Sequence, residues 1–362
     1  MRYPAPMSSR PADPAGWQSQ VALFPATRYQ GSKRKLLPWI LDCLADLPFS
    51  TALDAFSGTG AVAYGLKALG KAVTACDQLE SNRRVAEALV ANDDQVLAPE
   101  GAEELLRPRA DRDYGSFIAD TFEGIYYPAD ENGQLDVIAG NLAAMPPGPQ
   151  RALASFALFQ ACLVKRPFNL FHRRNLSLRT ADVERSFGNK TTWERPFAEL
   201  LPRFAAEAAA AVFAGQRRCR ALACDILQAP GSYDLVYLDP PYVPARGEGP
   251  DYRAYYHFLE GLCDLAGWPA RVDLSTRNRR LRGVRSPWGD ARRIRELLVT
   301  LYRRHPHAKL VLSYRSDGVP DPDELAADLR AIRGELTVHD AGTYRYALST
   351  NRRSRELLFV AY

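Results

Sequence analysis

Apolar residues recur along the chain with two spacings, one typical of strands and one typical of helices. Short apolar or alternating runs predict β-strands at 51–56, 71–77, 220–226, 233–238, 307–314, 336–340 and 356–361. Apolar residues three or four positions apart predict helices at 36–47, 61–69, 193–213, 292–303 and 322–333, one that begins at Pro149 and one that ends near Leu265. Alternating strands and helices favour an α/β fold with a mostly parallel sheet, and the closing pair of strands favours an antiparallel C-terminal edge.

A long interruption divides this α/β pattern. From 91 to 135 the sequence is polar and dotted with prolines, and no element is predicted there. Strands resume only at 220, after roughly 120 residues, which is too long for a plain loop. We therefore predict a flexible leader at 1–25, a main α/β domain formed by 26–100 and 220–362, and an inserted, mainly helical subdomain at 101–219.

The composition is that of an ordinary globular protein, since 46% of the 362 residues are hydrophobic and 25% are charged. No apolar run is long enough to span a bilayer, and the N-terminal stretch lacks the apolar core of a signal peptide. We therefore expect a cytoplasmic protein with no membrane partner. The six cysteines are scattered and the histidines are not clustered, so neither a disulfide nor a metal site is expected.

A glycine-rich turn follows the first predicted strand. In such a βαβ unit the glycines let the backbone approach a nucleotide-like ligand, and the acid that ends the second strand accepts from ribose hydroxyls. The third glycine of a dinucleotide site is absent, which favours S-adenosylmethionine, with Asp54 near its cationic methionine end. A glycine turn that only packs the helix is the alternative. The strand 220–226 ends nearby, so the candidate cofactor-binding residues are Asp54, Phe56, Gly58, Gly60, Asp77, Asp225 and Ile226.

The strand 233–238 ends in Asp239-Pro240-Pro241-Tyr242, at the carboxyl end where open α/β sheets bind ligands. Proline has no N–H group, so carbonyls here remain free to accept hydrogen bonds. The Asp239 carboxylate and the Pro240 carbonyl suit the N–H bonds of an exocyclic purine amine, whose growing positive charge they would stabilise during attack. Tyr242 would stack on the base. A solvated Asp beside a Pro-Pro turn is the alternative.

Basic and aromatic residues are interleaved after the helix that begins at Pro149. Arginines that bind phosphates and base edges, with aromatics or amides that stack, are typical of nucleic-acid-binding surfaces, although a solvated charged face has the same composition. A second basic segment, 271–285, is either a flexible loop that touches phosphates or only a surface loop. His257, before it, is either a proton acceptor or a packed histidine. The candidate nucleic-acid-binding residues are Lys165, Arg166, Asn169, Arg173, Arg174 and Asn175, followed by Arg179, Arg185, Lys190 and Arg195.

In this combination and order, the motifs resemble those of the Dam-type DNA adenine methyltransferases of the α group, over nearly all of the chain after residue 25. Tyr29-Gln30-Gly31-Ser32-Lys33 is similar to the N-terminal cofactor motif, 54–60 to the glycine motif and 239–242 to the catalytic tetrapeptide. The resemblance implies a Rossmann-like fold and cofactor binding by Tyr29, Gly31, Lys33 and Asp239. The segment 168–175 is similar to a DNA-contacting segment of the family, but Leu170 replaces a glycine of that pattern.

The resemblance also implies a reaction and a set of partners. The enzyme would extrude an adenine from double-stranded DNA and methylate its N6 amine directly, without metal or covalent intermediate. We expect a monomer, and a cognate restriction endonuclease stays an open question. An RNA adenine-N6 methyltransferase, such as a ribosomal one, and a catalytically silent DNA-binding relative are the alternatives. Cytosine-N4 methylation is disfavoured because those enzymes mostly carry Ser in place of Asp239.

Overall fold

The structure, a computed structural model, describes residues 16–181, 190–244, 249–344 and 353–362. Contacts between residues divide the described chain into two units. The first contains the described residues of 1–93, 213–251 and 285–362, and the second those of 94–212 and 252–284. The sequence prediction places 252–284 in the main α/β domain. Instead this segment packs with the inserted residues, because its helix supplies aromatic side chains to their core.

The first unit is organised around a mixed β-sheet. Its strands are β1 Thr51–Asp54, β2 Ala72–Asp77, β3 Arg220–Ala223, β4 Leu235–Leu238, β5 Val243–Pro244, β6 Lys309–Arg315, β7 Gly318–Val319, β8 Leu336–Thr343 and β9 Arg355–Ala361. Within the described residues, seven strands form one sheet in the order β3-β2-β1-β4-β6-β9-β8, and β5 pairs separately with β7. The first five strands in this order, β3, β2, β1, β4 and β6, are parallel, whereas β9 is antiparallel to β6 and to β8. This confirms the predicted fold class.

The central strands bring the candidate site residues to one edge of the sheet. β1 lies between β2 and β4, with Asp54 paired with Ala75 of β2 and with Tyr237 of β4. From β1 and β4 the strand order runs outward in opposite directions, so their carboxyl ends flank the topological switch point, where open α/β sheets bind ligands. β4 is buried along its whole length, which explains its continuous apolar sequence.

Helices cover this sheet. Those of the first unit are Trp17–Ala22, Leu37–Leu44, Ala61–Ala68, Glu80–Leu89, Ile294–Arg304 and Pro322–Arg333. The predicted apolar face of Leu37–Leu44 is buried, as its period of three and four requires. The predicted flexible leader is corrected in its described part, because Trp17–Ala22 is helical and Phe24 is buried against Tyr64, with ring centroids 5.1 Å apart. Residues 1–15 lie outside the described residues.

The second unit is mainly helical. Its helices are Pro99–Glu104, Phe117–Thr121, Ala129–Ala143, Pro149–Val164, Ser177–Thr180, Lys190–Glu194, Phe197–Ala211, Tyr252–Cys263 and Trp268–Arg271. Helices therefore form between 91 and 135, where the sequence pattern predicts none. The apolar pattern does not predict Ala129–Ala143, because polar Asn132 and Asp136 occupy buried positions of this helix. Asp136 is satisfied there by accepting hydrogen bonds from the N–H groups of Ile118 at 2.7 Å and Ala119 at 2.9 Å.

An aromatic cluster forms the core of the second unit. The ring of Phe122 lies 5.0 Å from that of Phe258 and 5.2 Å from that of Trp268, and Phe171 stacks on Phe258 at 5.0 Å. Gly261 lies directly against Trp268, since a Cβ atom built on it would be 1.9 Å from Trp268 Cε2. Glycine is required here for close packing of the helix against the indole.

We expect Gly261→Ala to destabilise the protein by about 1–3 kcal/mol or more, because a methyl group at this position must displace the indole of Trp268. Thermal unfolding followed by circular dichroism measures the change. Gly133→Ala is the matched control, since Gly133 lies within the helix Ala129–Ala143 and nothing approaches its Cβ position within 4 Å. The control should be neutral or slightly stabilising. Equal melting temperatures for the two variants would contradict the packing argument.

Among the residues that the structure describes, no helix combines the length and the apolar character that a membrane crossing needs. No group of three or more His, Cys, Asp and Glu side chains in the same residues is arranged to hold a metal ion.

Candidate active site and nucleic-acid-binding surface

Asp239 emerges from the carboxyl end of β4 and meets a buried lysine. Its Oδ1 lies 2.7 Å from Nζ of Lys33. Lys33 is only 6% exposed and begins a 3₁₀ turn, Lys33–Lys35, in which the N–H of Arg34 donates to the hydroxyl of Ser32. The resemblance assigns Lys33 to the cofactor motif. The structure places its ammonium against Asp239, the predicted catalytic carboxylate, as well.

A network of polar groups extends this ion pair. Nζ of Lys33 also donates to the hydroxyl of Tyr242 at 2.7 Å, and that hydroxyl donates to Oε1 of Glu356 at 2.9 Å. The hydroxyl of Ser313 donates to the same Glu356 oxygen at 2.5 Å, and Lys33 Nζ lies 3.6 Å from it. Ser313 and Glu356 are fully buried on β6 and β9. Sequence reasoning missed both, although a glutamate inside an apolar strand was a signal for a buried polar role.

Charge and burial act against each other in this network. Burial disfavours the ammonium of Lys33, yet the carboxylates of Asp239 and Glu356 outweigh it and raise the pKa of Lys33 above its ordinary value. The pKa of Asp239 is raised mainly by burial, with Lys33 opposing that shift and the Glu356 charge adding to it. Lys33 is therefore the cation that offsets the repulsion between the buried carboxylate of Glu356 and the partly buried carboxylate of Asp239.

Asp54, at the end of β1, is a buried carboxylate that is only half satisfied. Its Oδ2 accepts from the N–H of Ala63 at 3.0 Å, but its Oδ1 has no hydrogen-bond partner among the described residues. Burial, reinforced by the charge of Asp239, raises the pKa of Asp54 to about 8. A cationic ligand would relieve both the missing partner and the desolvation, so the donor set fits the methionine end of S-adenosylmethionine.

Asp77 holds the glycine turn in place. Its Oδ2 accepts from the N–H of Gly58 and its Oδ1 from the N–H of Leu79, each at 2.9 Å. Gly58 and Gly60 have left-handed backbones, with φ of 51° and 75°, which glycine adopts without strain. A Cβ atom on Gly58 would lie 3.4 Å from the ring of Tyr29, so the N-terminal motif packs directly on the turn. Gly31, also left-handed at φ 85°, is exposed.

The remaining candidate cofactor residues lie around the ends of β1 and β3. Phe56 contacts Trp288 edge to face, with centroids 4.8 Å apart, and sequence reasoning missed Trp288. β3 is shorter than predicted and is followed by a 3₁₀ turn, Ile226–Gln228, which exposed Asp225 caps through its Oδ1, 3.1 Å from the N–H of Leu227. Ile226 is buried in the core. Asp225 is thus the more accessible member of the predicted pair.

In the second unit, burial corrects part of the predicted nucleic-acid-binding set. Lys165 is fully buried, with Nζ 2.9 Å from Oε1 of Glu131. Arg166 is 1% exposed, lies 4.4 Å above the ring of Tyr126 and donates to the carbonyls of Tyr126 and Leu170 at 3.2 Å. Burial lowers the pKa of Arg166 to about 10. Both side chains hold the fold of this unit and cannot contact DNA in this arrangement.

Other residues of the segment 168–175 remain accessible. Arg173 and Arg174 are exposed, while Asn169 and Asn175 are partly exposed. Phe168, which the candidate set omits, is 65% exposed on a left-handed backbone with φ 65°. Both its exposure and its backbone conformation are unusual for an aromatic residue.

Some of the basic residues after this segment are buried and others lie on the surface. Arg179 is buried and forms a bidentate pair with Glu131 at 2.7 and 2.9 Å. Lys190 pairs with Glu194 and Arg195 with Glu199 on the surface. Arg185 lies outside the described residues.

The fold and the site define a methyltransferase-like α/β protein with an acidic Asp-Pro-Pro-Tyr corner, and comparison with known proteins agrees. Residues 29–261 match the D12 class N6 adenine-specific DNA methyltransferases. The chain therefore belongs to this family. It is similar to the Type II methyltransferase M2.HphI of Haemophilus parahaemolyticus, at 24% identity over 355 residues that cover 93% of this chain and 97% of the relative. The predicted family and the predicted activity, adenine-specific DNA methylation, are confirmed.

Proposed function

We propose that the methyl donor is S-adenosylmethionine and that the first unit binds it around the glycine turn. The observation that carries this proposal is the buried Oδ1 of Asp54, which lacks a partner among the described residues and suits a cationic group. Gly58, Gly60 and Asp77 would line the nucleoside, with exposed Asp225 near its base. When bound, this cofactor supplies an electrophilic methyl group on a sulfonium.

In this proposal the target adenine is extruded from the duplex and its amine is held at the end of β4. Asp239 Oδ1 is taken by Lys33, so the other carboxylate oxygen and the Pro240 carbonyl would accept the two N–H bonds of the amine. The ring of Tyr242, whose hydroxyl is fixed by Lys33 and Glu356, would stack on the base. Preorganised acceptors of this kind act on charge that develops in the transition state.

DNA contact by the second unit is proposed for the accessible residues of the segment 168–175. Arg173 and Arg174 suit phosphates or base edges, and Asn169 and Asn175 suit base edges. The exposed ring of Phe168 suits stacking on a base.

The named relative is a Type II methyltransferase, which supports a role in restriction-modification for this chain. The protein would methylate one short sequence and so protect it from a cognate endonuclease. We propose that it acts as a monomer, as expected for methylating one strand at a time, and in the cytoplasm.

Sequencing that detects N6-methyladenine in DNA from cells expressing the protein tests the proposed function. We expect methylation confined to one sequence context, and none in cells that express Asp239→Ala. Competition between duplex DNA and ribosomal RNA for the purified enzyme tests the alternative that the substrate is RNA. Methylated RNA with unmethylated DNA would overturn the proposal.

Asp54→Asn should stabilise the protein at high pH and at the same time weaken cofactor binding. A folded-state pKa near 8 lies above the ordinary Asp value, so the folded protein binds the extra proton and loses stability as pH rises from about 4 to 8. The amide removes this penalty, so we expect the melting temperature to exceed that of wild type by more at pH 8.5 than at pH 5. S-adenosylmethionine affinity by calorimetry should fall at least about tenfold, because a charged contact is lost.

Asp42→Asn is the control for this experiment, since Asp42 is an exposed carboxylate on the helix Leu37–Leu44. It should change neither the melting temperature nor the affinity. An Asp54→Asn protein that binds the cofactor as wild type does would remove Asp54 from the proposed site.

A further inference from the structure

The basic segment that follows Trp268–Arg271 forms an ordered hairpin in the second unit. Val272 and Leu281 form an antiparallel bridge, and the N–H of Asp273 donates to the Arg280 carbonyl at 2.7 Å. Asp273 also fixes the turn, because its carboxylate accepts from the N–H of Ser275 at 3.1 Å. We call residues 271–282 the basic hairpin. The predicted surface loop thus has the geometry of a hairpin, and its contact with phosphates stays a prediction.

Buried hydrogen bonds tie the basic hairpin to the segment 168–175. Nε2 of His257 lies 2.8 Å from the hydroxyl of Tyr126, which donates to the Asn278 carbonyl at 2.7 Å. Nδ2 of Asn278 in turn donates to the Phe171 carbonyl at 3.2 Å. Burial lowers the pKa of His257 to about 3, so this chain of bonds is uncharged at neutral pH. His257 is therefore a packed histidine that helps to connect two surface elements.

The basic hairpin carries an excess of positive charge, and its carboxylate at Asp273 interacts electrostatically with Arg280 and Arg282 without forming an ion pair with them. Arg277, Arg280 and Arg282 are exposed, and within the described part of the chain none of them forms an ion pair with Asp or Glu. The other basic residues of this stretch are occupied, since Arg271 pairs with Asp264 at 3.0 Å and Arg279 donates to the Leu274 carbonyl. Arg277, Arg280 and Arg282 are thus grouped on one short hairpin.

We propose that the basic hairpin is a second DNA-binding element, which contacts backbone phosphates beside the segment 168–175. This inference rests on the proposed DNA contacts of that segment. Guanidinium groups neutralise phosphates and release condensed counterions, which raises affinity without reading sequence. The hydrogen bonds through Tyr126 and Asn278 hold the hairpin at a fixed position beside the segment. Phosphate binding by the hairpin would therefore also orient Arg173 and Arg174 on the duplex.

The test is a variant carrying Arg277→Ala, Arg280→Ala and Arg282→Ala. Duplex affinity is measured by fluorescence anisotropy between about 50 and 200 mM KCl. We expect at least about tenfold weaker binding, and a plot of log affinity against log salt whose slope is smaller by about 2–3, since each lost phosphate contact contributes about 0.9. The methylated sequence context and the affinity for S-adenosylmethionine should stay unchanged.

The matched control carries Arg107→Ala, Arg109→Ala and Arg203→Ala, which removes the same charge from exposed positions elsewhere in the second unit. A slope equal to that of this control would overturn the proposal, as would a changed sequence context with the slope intact. If the hairpin variant does not fold by circular dichroism, the single variants Arg277→Ala and Arg280→Ala are compared in the same way. Wild-type protein that does not bind duplex DNA would instead refute the proposed function.

Discussion

Asp239→Ala should abolish nearly all methyl transfer while leaving cofactor binding intact. The variant loses the acceptor at the end of β4 that would draw the adenine amine into attack, and comparable transition-state hydrogen bonds contribute at least about 10²-fold in rate. Lys33 still faces Glu356 at 3.6 Å, so the buried cation is not left without a counter-charge. Single-turnover methylation of a duplex containing the recognition sequence measures the rate, and calorimetry measures cofactor affinity.

Asp42→Ala serves as the control, because it removes a carboxylate from an exposed helical position of the same unit. It should methylate DNA at the wild-type rate. The role assigned to Asp239 fails if its alanine variant also reaches that rate in a single turnover. Loss of cofactor binding together with activity would point instead to collapse of the site.

Lys33→Met should impair both folding and catalysis, and the catalytic defect should depend on pH. The substitution leaves Asp239 and Glu356 buried without their cation, and breaking a buried pair in this way costs about 3–5 kcal/mol. The pKa of Asp239, already raised by burial and by Glu356, loses its main opposing influence and rises further. A protonated Asp239 cannot accept from the amine, so the rate should fall more at pH 6.5 than at pH 8.5.

The pH profile of single-turnover methylation distinguishes this role from a purely structural one. Lys35→Met is the matched control, since Lys35 belongs to the same 3₁₀ turn but is exposed. Its profile should overlay that of wild type. A Lys33→Met enzyme slowed by the same factor at every pH would show that Lys33 only supports the fold.

Much of the fold follows from local sequence. Alternating apolar runs, the glycine turn at 57–60 and the Asp-Pro-Pro-Tyr corner each specify their own backbone, because φ restrictions and short-range burial act within a few residues. The sheet, its antiparallel edge and the position of Asp54 and Asp239 at strand ends were therefore predictable. The helix Ala129–Ala143 was not, because Asn132 and Asp136 are polar residues whose burial depends on partners outside that helix, such as Ile118 and Phe122.

The site was predictable only where a motif is contiguous. The Asp-Pro-Pro-Tyr motif indicates Asp239 and Tyr242 as candidates. It does not indicate Ser313 and Glu356, which lie on β6 and β9, over seventy residues further along the chain, and join the same network. Local charge predicts a basic surface at 165–175, which is correct for Arg173 and Arg174 but wrong for Lys165 and Arg166.

On its own, the sequence determined the family, the chemistry and the strand ends proposed to carry it, since those properties reside in short motifs with fixed backbone demands. Only the tertiary structure decided which charges face solvent. It buried Lys165 and Arg166 against Glu131 and Tyr126, and left Arg173 and Arg174 exposed. The physical reason is that desolvation and charge pairing depend on what surrounds a side chain in space, which residue type and spacing do not encode.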